Sequence, residues 1–439
     1  MNNILSDNLG NLVKAGGGKI HTGPFGSQLH AADYVQEGIP CIMPANMKSN
    51  RVDLSDIAYI TEGDANRLSK YIVKKDDIVY SRRGDVTLKA LIREKEDGYF
   101  CGTGCLLLRP GDKFDSRFLT HYLSTPTIQN WIVRQAVGAT MPNLNTGILA
   151  SIPFNGPKKE EQEKIADVLS VIEDKIELNN RINSELEAMA KTLYDYWFVQ
   201  FDFPDANGKP YKASGGKMVY NYTLKRKIPE GWEVRPFSEH LTCNAKKLGK
   251  KHGYSEIQYL DTANLTKNVV DTLQPLVVSV DKIPSRANMI VSKNDILYST
   301  VRPNQLHYGI ITQPVENMVA STGYSVLSHK SDSSINVLFY LHLTNEANTQ
   351  RLIKISESSK SSYPSISPDD ILSIDIALPK DGGAVDKAVG MLNPLFKKIS
   401  ETQRENKELA SLRDWLLPML MNGQVTVKPS TESQETLHG

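Results

Sequence analysis

No stretch of about 18 apolar residues occurs in this chain, and its start carries no basic segment leading into an apolar run. Neither a membrane span nor a secretion signal is expected, and the chain reads as a soluble, cytoplasmic protein. Cysteine is scarce: Cys41, Cys101, Cys105 and Cys243 are the only four among 439 residues, which fits a reduced compartment better than a disulfide scaffold. Cys101-Gly102-Thr103-Gly104-Cys105 has no second Cys or His pair at ligand spacing nearby, so buried strand thiols are expected there rather than zinc. An excess of either charge is also missing. Lys+Arg total 51 against Asp+Glu 50, so no global field announces nucleic acid, although a local basic surface can still bind it.

Catalytic signatures are absent as well. There is no Gly-x-x-x-x-Gly-Lys-Ser/Thr loop and no Gly-x-Gly-x-x-Gly opening a helix. Gly16-Gly17-Gly18-Lys19 lacks the phosphate-loop spacing and reads as a flexible turn. The Asp/Asn-Pro-Pro-Tyr/Phe segment with which an adenine methyltransferase holds its base is missing, and Phe203-Pro204-Asp205 is no substitute. The nine histidines are scattered, none four residues from another. Catalysis by this chain alone is not expected, and no cofactor or metal is assigned to it.

What the chain does contain is a repeat. Asp77-Ile78-Val79-Tyr80-Ser81 returns as Asp295-Ile296-Leu297-Tyr298-Ser299, Thr103-Gly104 as Thr322-Gly323, and Asn183-Ser184-Glu185-Leu186 as Asn406-Lys407-Glu408-Leu409. Thr140-Met141-Pro142-Asn143-Leu144 likewise returns as Ser362-Tyr363-Pro364-Ser365-Ile366. The offset stays at roughly 220 residues, far longer than a solenoid unit, so this is a duplicated domain. Each copy runs mixed domain first, long helix second. Residues 1–157 hold short β-leaning runs such as Ile39 to Met43 and Cys105 to Leu108, with one or two short helices between Phe118 and Val133 around Pro126. No βαβ period is visible, and the class is α+β.

Residues 158–200 change texture. Ile165, Val168, Leu169, Ile172, Ile176, Ile182, Leu186, Met189, Leu193 and Trp197 recur at three- and four-residue steps, a heptad seam. Residues 383–424 repeat it with Leu392, Leu395, Phe396, Ile399, Leu409, Leu412, Leu416 and Leu420. At 1.5 Å per residue each helix spans on the order of 55 Å, and the economical cover for one seam is the other helix, antiparallel to it. Asn179 and Asn406 either fix the register of that pair or are solvated breaks at its edge. Residues 201–227 read as a surface connector preceded by a dense aromatic cluster (Tyr194, Tyr196, Trp197, Phe198, Phe201, Phe203) that needs a packing partner. Residues 228–382 are the second mixed domain, and 425–439 a disordered polar tail.

Recognition is the chemistry left over. The loops after the repeated strands carry Arg82 and Arg83 in one copy, Arg302 and Asn304 in the other. Lys19, His21 and Gln28 sit in a small-residue run that permits close backbone approach. Lys246, Lys247, Lys250 and Lys251 form a dense basic loop suited to phosphates. Thr140 and Asn143, with Lys360 and Ser362 in the second copy, lie in polar turns able to present backbone N–H groups. Arginine suits guanine edges and asparagine or glutamine adenine edges. Each is also compatible with an ordinary solvated loop.

With these residues in view the chain resembles the specificity subunit of type I restriction–modification systems over nearly its whole length. The segments that carry the resemblance are Leu193 to Pro204, Gly208-Lys209-Pro210-Tyr211-Lys212, Ile228-Pro229-Glu230-Gly231-Trp232-Glu233 and Gly323-Tyr324. The first domain departs from the pattern, entering at Leu9-Gly10-Asn11-Leu12 without its own Pro-Glu-Gly-Trp, so its first strand or cap is expected to differ. The resemblance implies two pseudo-symmetric target recognition domains joined by two long antiparallel coiled-coil helices, each domain reading one half of a gapped double-stranded DNA target. A helix spacer of about 50 Å corresponds to roughly 15 base pairs, putting the half-sites on successive turns. It further implies two modification subunits that bring S-adenosylmethionine and methylate adenine N6, and two restriction subunits that use ATP and Mg. A stand-alone methyltransferase or nuclease with diverged motifs, and a coiled-coil protein adaptor, are the competing classes.

Overall fold

The computed structural model describes residues 4–136, 141–249, 253–358, 363–421, 423–425 and 427. The chain divides into two compact units, Met1–Ile176 with Glu408–Gly439, and Glu177–Lys407.

In the first unit, Lys19–Thr22, Cys105–Arg109, Ile78–Ser81 and Lys89–Leu91 form an antiparallel sheet in that order. A second sheet runs Phe100–Cys101, Ile39–Ile42, Ala58–Ile60, Tyr34–Val35, its first pair parallel. Residues of Ile78–Ser81 alternate between two cores because successive strand side chains point to opposite faces. Ile78 and Tyr80 join Phe118 and Phe154, while Val79 joins Cys41, Cys101 and Cys105. A strand buried on both faces reads as a continuous apolar run, which is why this segment is recognisable in both copies. The thiols are buried strand residues, and burial pushes Cys41 up to about 12, an inert thiol.

The second unit repeats the plan. Leu241–Cys243, Tyr324–His329, Asp295–Ser299 and Tyr308–Ile311 form the equivalent antiparallel sheet. Ile296 and Tyr298 face one core and Leu297 the other. The leading aspartates are buried and hold the turn before their strands: Asp77 receives Lys74 N at 2.8 Å and a two-pronged Arg109, Asp295 receives Ser292 N at 2.7 Å and Ser328 Oγ at 2.6 Å. The second sheets share three strands and differ at their edges. Unit one adds Tyr34–Val35 beyond Ala58–Ile60, whereas unit two adds Ala287–Ile290 on the opposite edge, beside Met318–Ser321.

The missing Pro-Glu-Gly-Trp does not remove the first domain's opening strand. Ile4–Asn8 pairs antiparallel with Pro153–Pro157 just as Trp232–Pro236 pairs with Asp375–Pro379; backbone pairing does not require those side chains. Pro126 opens the helix Pro126–Gln135 rather than breaking one, since its missing N–H is not needed at the first turn.

Helix Lys159–Tyr194 passes into a π-helical turn, Asp195–Val199, and the second long helix is Gly383–Met421. Within the first unit, Ile165, Leu169 and Ile172 are buried, the first two sharing a core with Leu417, Leu420 and Met421. Leu409 and Leu416 are half-buried, as is Ile176. Within the second unit, Leu392, Phe396 and Ile399 are buried with Ala190 and Trp197, Leu186 packs half-buried against them, and the pairing is antiparallel. Two seam positions need correcting. Met189 is 58% and Leu412 44% exposed, while Ala190 and Leu417 take the inward places. An α-helix drifts against a strict heptad, so the inward place moves along the sequence. Gln162 anchors the first helix: its amide donates to Pro157 O and Lys113 O, and its oxygen accepts Asp115 N at 2.9 Å.

The connector also begins as core rather than surface. Phe201 is 2% exposed, and Phe198, Phe201 and Phe203 close around Trp232 with ring centres 5.1–5.7 Å apart. The aromatic cluster therefore packs on its own domain, although Tyr196 stays exposed.

Candidate nucleic-acid interface

Three repeated sequence signals meet at one place in each unit. In the first, Arg82 N donates to Gly104 O and Leu144 N donates to Arg82 O, both at 2.8 Å, and Arg83 bridges Asn143. In the second, Thr300 N donates to Gly323 O at 2.9 Å, Ile366 N to Thr300 O at 2.9 Å and Arg302 N to Pro364 O at 2.9 Å, while Val301 bridges Ser365. The strand-following loop, the Thr-Gly turn and the Pro-containing turn thus form one surface through main-chain bonds, to which the second unit adds Thr300 Oγ1 donating to Gly323 O at 3.0 Å. The main-chain bonds do not specify side chains, so the side chains are free to differ between copies. Gly104 adopts φ +77 and needs to be glycine. At Gly323 a Cβ would meet Thr262 Oγ1 at 2.8 Å.

The first surface presents Arg83 exposed and Arg82 half-buried, with the Arg82 guanidinium 5.5 Å from the centre of the exposed Phe25 ring. Phe25 carries little signal in the sequence, being a single aromatic among small residues. Arg82 Nε and Asn143 Oδ1 are buried here and have no hydrogen-bond partner among the described residues. Orphaned polar atoms of this kind call for an explanation such as a ligand position. Asn143 N is taken by Ala136 O at 2.9 Å. Gln28 is committed internally, its Oε1 accepting Tyr71 Oη–H at 3.0 Å and Phe25 N at 3.2 Å, so it braces the Phe25 turn. His21 is half-buried against Tyr71. Lys19 lies at the other end of its strand, opposite Arg109, so it is not brought to this surface. Thr140 falls outside the described residues.

On the second surface Arg302 and Asn304 are exposed. The turn that carries them is held by two non-glycine left-handed residues, Arg302 at φ +48 and Leu306 at φ +57. Such conformations persist only where surroundings enforce them and concentrate at functional positions. Tyr363 is 43% exposed in the adjoining Pro-containing turn. Lys246 sits elsewhere: its Nζ donates to Ser292 Oγ at 2.9 Å, near the start of the strand that ends at Ser299. From Lys247, bridged to Met289, the chain follows Asn288 toward Arg286, whose carbonyl accepts Thr322 N at 2.8 Å. Exposed Arg286 thereby joins the second surface, a residue that no motif marks in the sequence. Lys250, Lys251, Lys360 and Ser362 fall outside the described residues.

Among the described residues no group of three or more His, Cys, Asp or Glu is placed to hold a metal, and no helix is long and apolar enough to cross a membrane.

Comparison with known proteins bears on the family and the fold. Residues 19–188 match the type I restriction modification DNA specificity domain. The chain is 25% identical over 414 residues to the type I restriction enzyme MjaIX specificity subunit of Methanocaldococcus jannaschii, covering 90% of this chain and 89% of that protein. It is 22% identical over 411 residues to the HindI specificity subunit of Haemophilus influenzae, covering 81% and 88%. In fold it is similar to the crystal structure of a type I restriction–modification S subunit from M. genitalium, with a TM-score of 0.57 and 17% identity over 95% of this chain and 96% of that one.

Proposed function

Because the chain belongs to the family of type I restriction–modification specificity subunits, we propose that its two three-loop surfaces read the two halves of one gapped DNA target. The observation that carries this reading is the main-chain confluence built twice with different side chains: Arg82, Arg83 and Phe25 in one unit, Arg302, Asn304 and Arg286 in the other. Equal scaffolds with unequal reading groups suit an asymmetric bipartite sequence.

Arg83 and Arg302 are the groups best placed to meet guanine edges, and Phe25 steadies Arg82 for a base or phosphate. The N–H groups of Asn143, Leu144 and Ile366 are spent on carbonyls within the protein, so the Pro-containing turns hold the reading loops in place. The paired helices set the spacing between half-sites. The chain supplies recognition and no catalytic group. Two modification subunits bring S-adenosylmethionine and methylate adenine, and two restriction subunits bring ATP- and Mg-dependent cleavage, all in the cytoplasm.

The test is selection of bound duplexes from a random pool by the chain assembled with its modification subunit. Two short conserved blocks separated by a constant unselected gap are expected. A single contiguous block, or no enrichment, contradicts the reading.

A further inference from the structure

The connector carries a charge pattern that the two reading surfaces do not use. From Ala206 to Pro229 there is no acidic residue, yet Lys209, Lys212, Lys217, Lys225, Arg226 and Lys227 all fall there, in a chain whose charges balance in total. Within this stretch Met218–Asn221 and Arg226–Pro229 form a two-stranded antiparallel hairpin that joins no larger sheet. One face is anchored. Ile228 is buried, and Arg226 lies 4.8 Å over the Phe201 ring while donating to Val199 O at 3.3 Å.

The other face is open. Tyr220 stands directly opposite Lys227, and directly opposed residues of an antiparallel pair share a face. Tyr222 packs edge-on against Tyr220 at 5.2 Å, and the two rings are 87% and 54% exposed respectively. Lys217 is paired with Glu230, but Lys225 and Lys227 of the hairpin and Lys212 just before it are exposed and have no ion pair among the described residues. Exposed tyrosine hydroxyls beside uncompensated lysines are hydrogen-bond donors and charges suited to phosphate oxygens. The face offers little aliphatic surface, which a protein partner's interface core would demand. A free two-stranded ribbon is also a shape that duplex DNA accommodates.

We propose that this hairpin is a sequence-independent contact for the phosphate backbone of duplex DNA, distinct from the two reading surfaces. It rests on the reading of the chain as a DNA-recognition subunit. The site adds affinity common to every sequence, so it shortens the search for a target without altering which target is chosen.

The test uses the chain assembled with its modification subunit and replaces Lys212, Lys225 and Lys227 together by Gln. Affinity for a cognate and a non-cognate duplex is measured from 50 to 200 mM salt. Each lysine withdrawn from a phosphate should flatten the slope of log affinity against log salt by about 0.9, so a flattening of about 2 to 3 is expected on both duplexes, with their affinity ratio kept within about twofold. Tyr222→Ala should weaken both duplexes equally. An unchanged slope overturns the proposal, as does a variant that no longer assembles with the modification subunit, which would make the hairpin a protein-binding element. A wild-type complex without sequence preference would instead overturn the function proposed above while leaving the slope comparison interpretable.

Discussion

The side-chain amide of Asn179 donates to Asn406 Oδ1 at 2.9 Å and to Glu405 Oε2 at 2.8 Å, and the amide of Asn406 donates onward to Asn180 Oδ1 at 2.8 Å. Asn179 is 1% exposed, and the neighbouring Thr402 hydroxyl bonds to buried Asn183. Of the two roles open to these asparagines from sequence, a clasp inside the seam is the one observed. A helix pair with a polar layer at one position admits one register, because any slip buries the amides without partners.

Asn179→Ala should therefore lower the stability of the second unit by about 1–3 kcal/mol, since it leaves Asn406 and Glu405 short of a donor. Replacing both Asn179 and Asn406 by Leu should restore or exceed the original stability while relaxing register. Calorimetric unfolding checks both; a fall in midpoint for the double variant equal to that of Asn179→Ala would refute the clasp.

Arg302→Gly separates strain from reading. Glycine adopts φ +48 without penalty, so the substitution should leave stability unchanged or raise it by up to about 1 kcal/mol. It also deletes the guanidinium and should cost about 1–3 kcal/mol of discrimination at one base pair of one half-site. Arg302→Ala should lose the same discrimination and gain no stability. Thermal midpoints and binding to single-substituted duplexes distinguish the two.

Two histidines, buried His121 and half-buried His342, make the fold acid-sensitive. Burial pushes His121 down to about 3 and His342 down to about 4 from 6.5. His342 is held neutral between Tyr194 Oη at Nδ1, 2.7 Å, and Asp375 O at Nε2, 2.9 Å. Below pH 6.5 the unfolded chain takes up protons that the folded chain refuses, so stability declines as pH falls from about 6.5 toward 4 and 3. His121→Phe should flatten that decline for the first unit, measured as midpoint against pH; an unaltered pH profile would contradict it.

Lys89 works in the opposite range. It is 3% exposed with its ammonium 5.6 Å from the Tyr80 ring centre, and burial pushes it down to about 8 from 10.5. The folded state binds this proton more weakly, so stability is lowest below about pH 8 and rises toward 10.5. Lys89→Met should stabilise the first unit at pH 7 by up to about 3 kcal/mol, a gain that shrinks as pH approaches 10. Midpoints measured at the two pH values check it. The matching position in the second unit is Tyr308, stacked on Tyr298 at 5.6 Å.

Much of this molecule is legible in its sequence because its repeated parts obey local rules. The doubly buried strands Ile78–Ser81 and Asp295–Ser299 announce themselves by unbroken apolar character, and the seams by spacing. Met189 and Leu412 depart from their expected places because three- and four-residue steps alone do not say where a real helix puts its next inward residue. A further echo emerges only from the fold: Phe118 and His121 in one copy match Phe339 and His342 in the other, at the same places on equivalent buried helices. The proposed reading surfaces are half visible. Arg82 and Asn143, 61 positions apart by number, share a surface only through the fold. Phe25, Arg286 and the internal use of Gln28 depend on long-range contacts that no local pattern encodes.

The claim that each unit reads its own half-site is tested most directly by mapping methylated adenines across a genome for the chain co-expressed with its modification subunit. Wild type, Arg83→Ala and Arg302→Gly are compared. Wild type should give one gapped bipartite motif, Arg83→Ala should relax only one half, and Arg302→Gly only the other, with the gap unchanged in all three. A contiguous motif, or both substitutions altering the same half, would contradict the account.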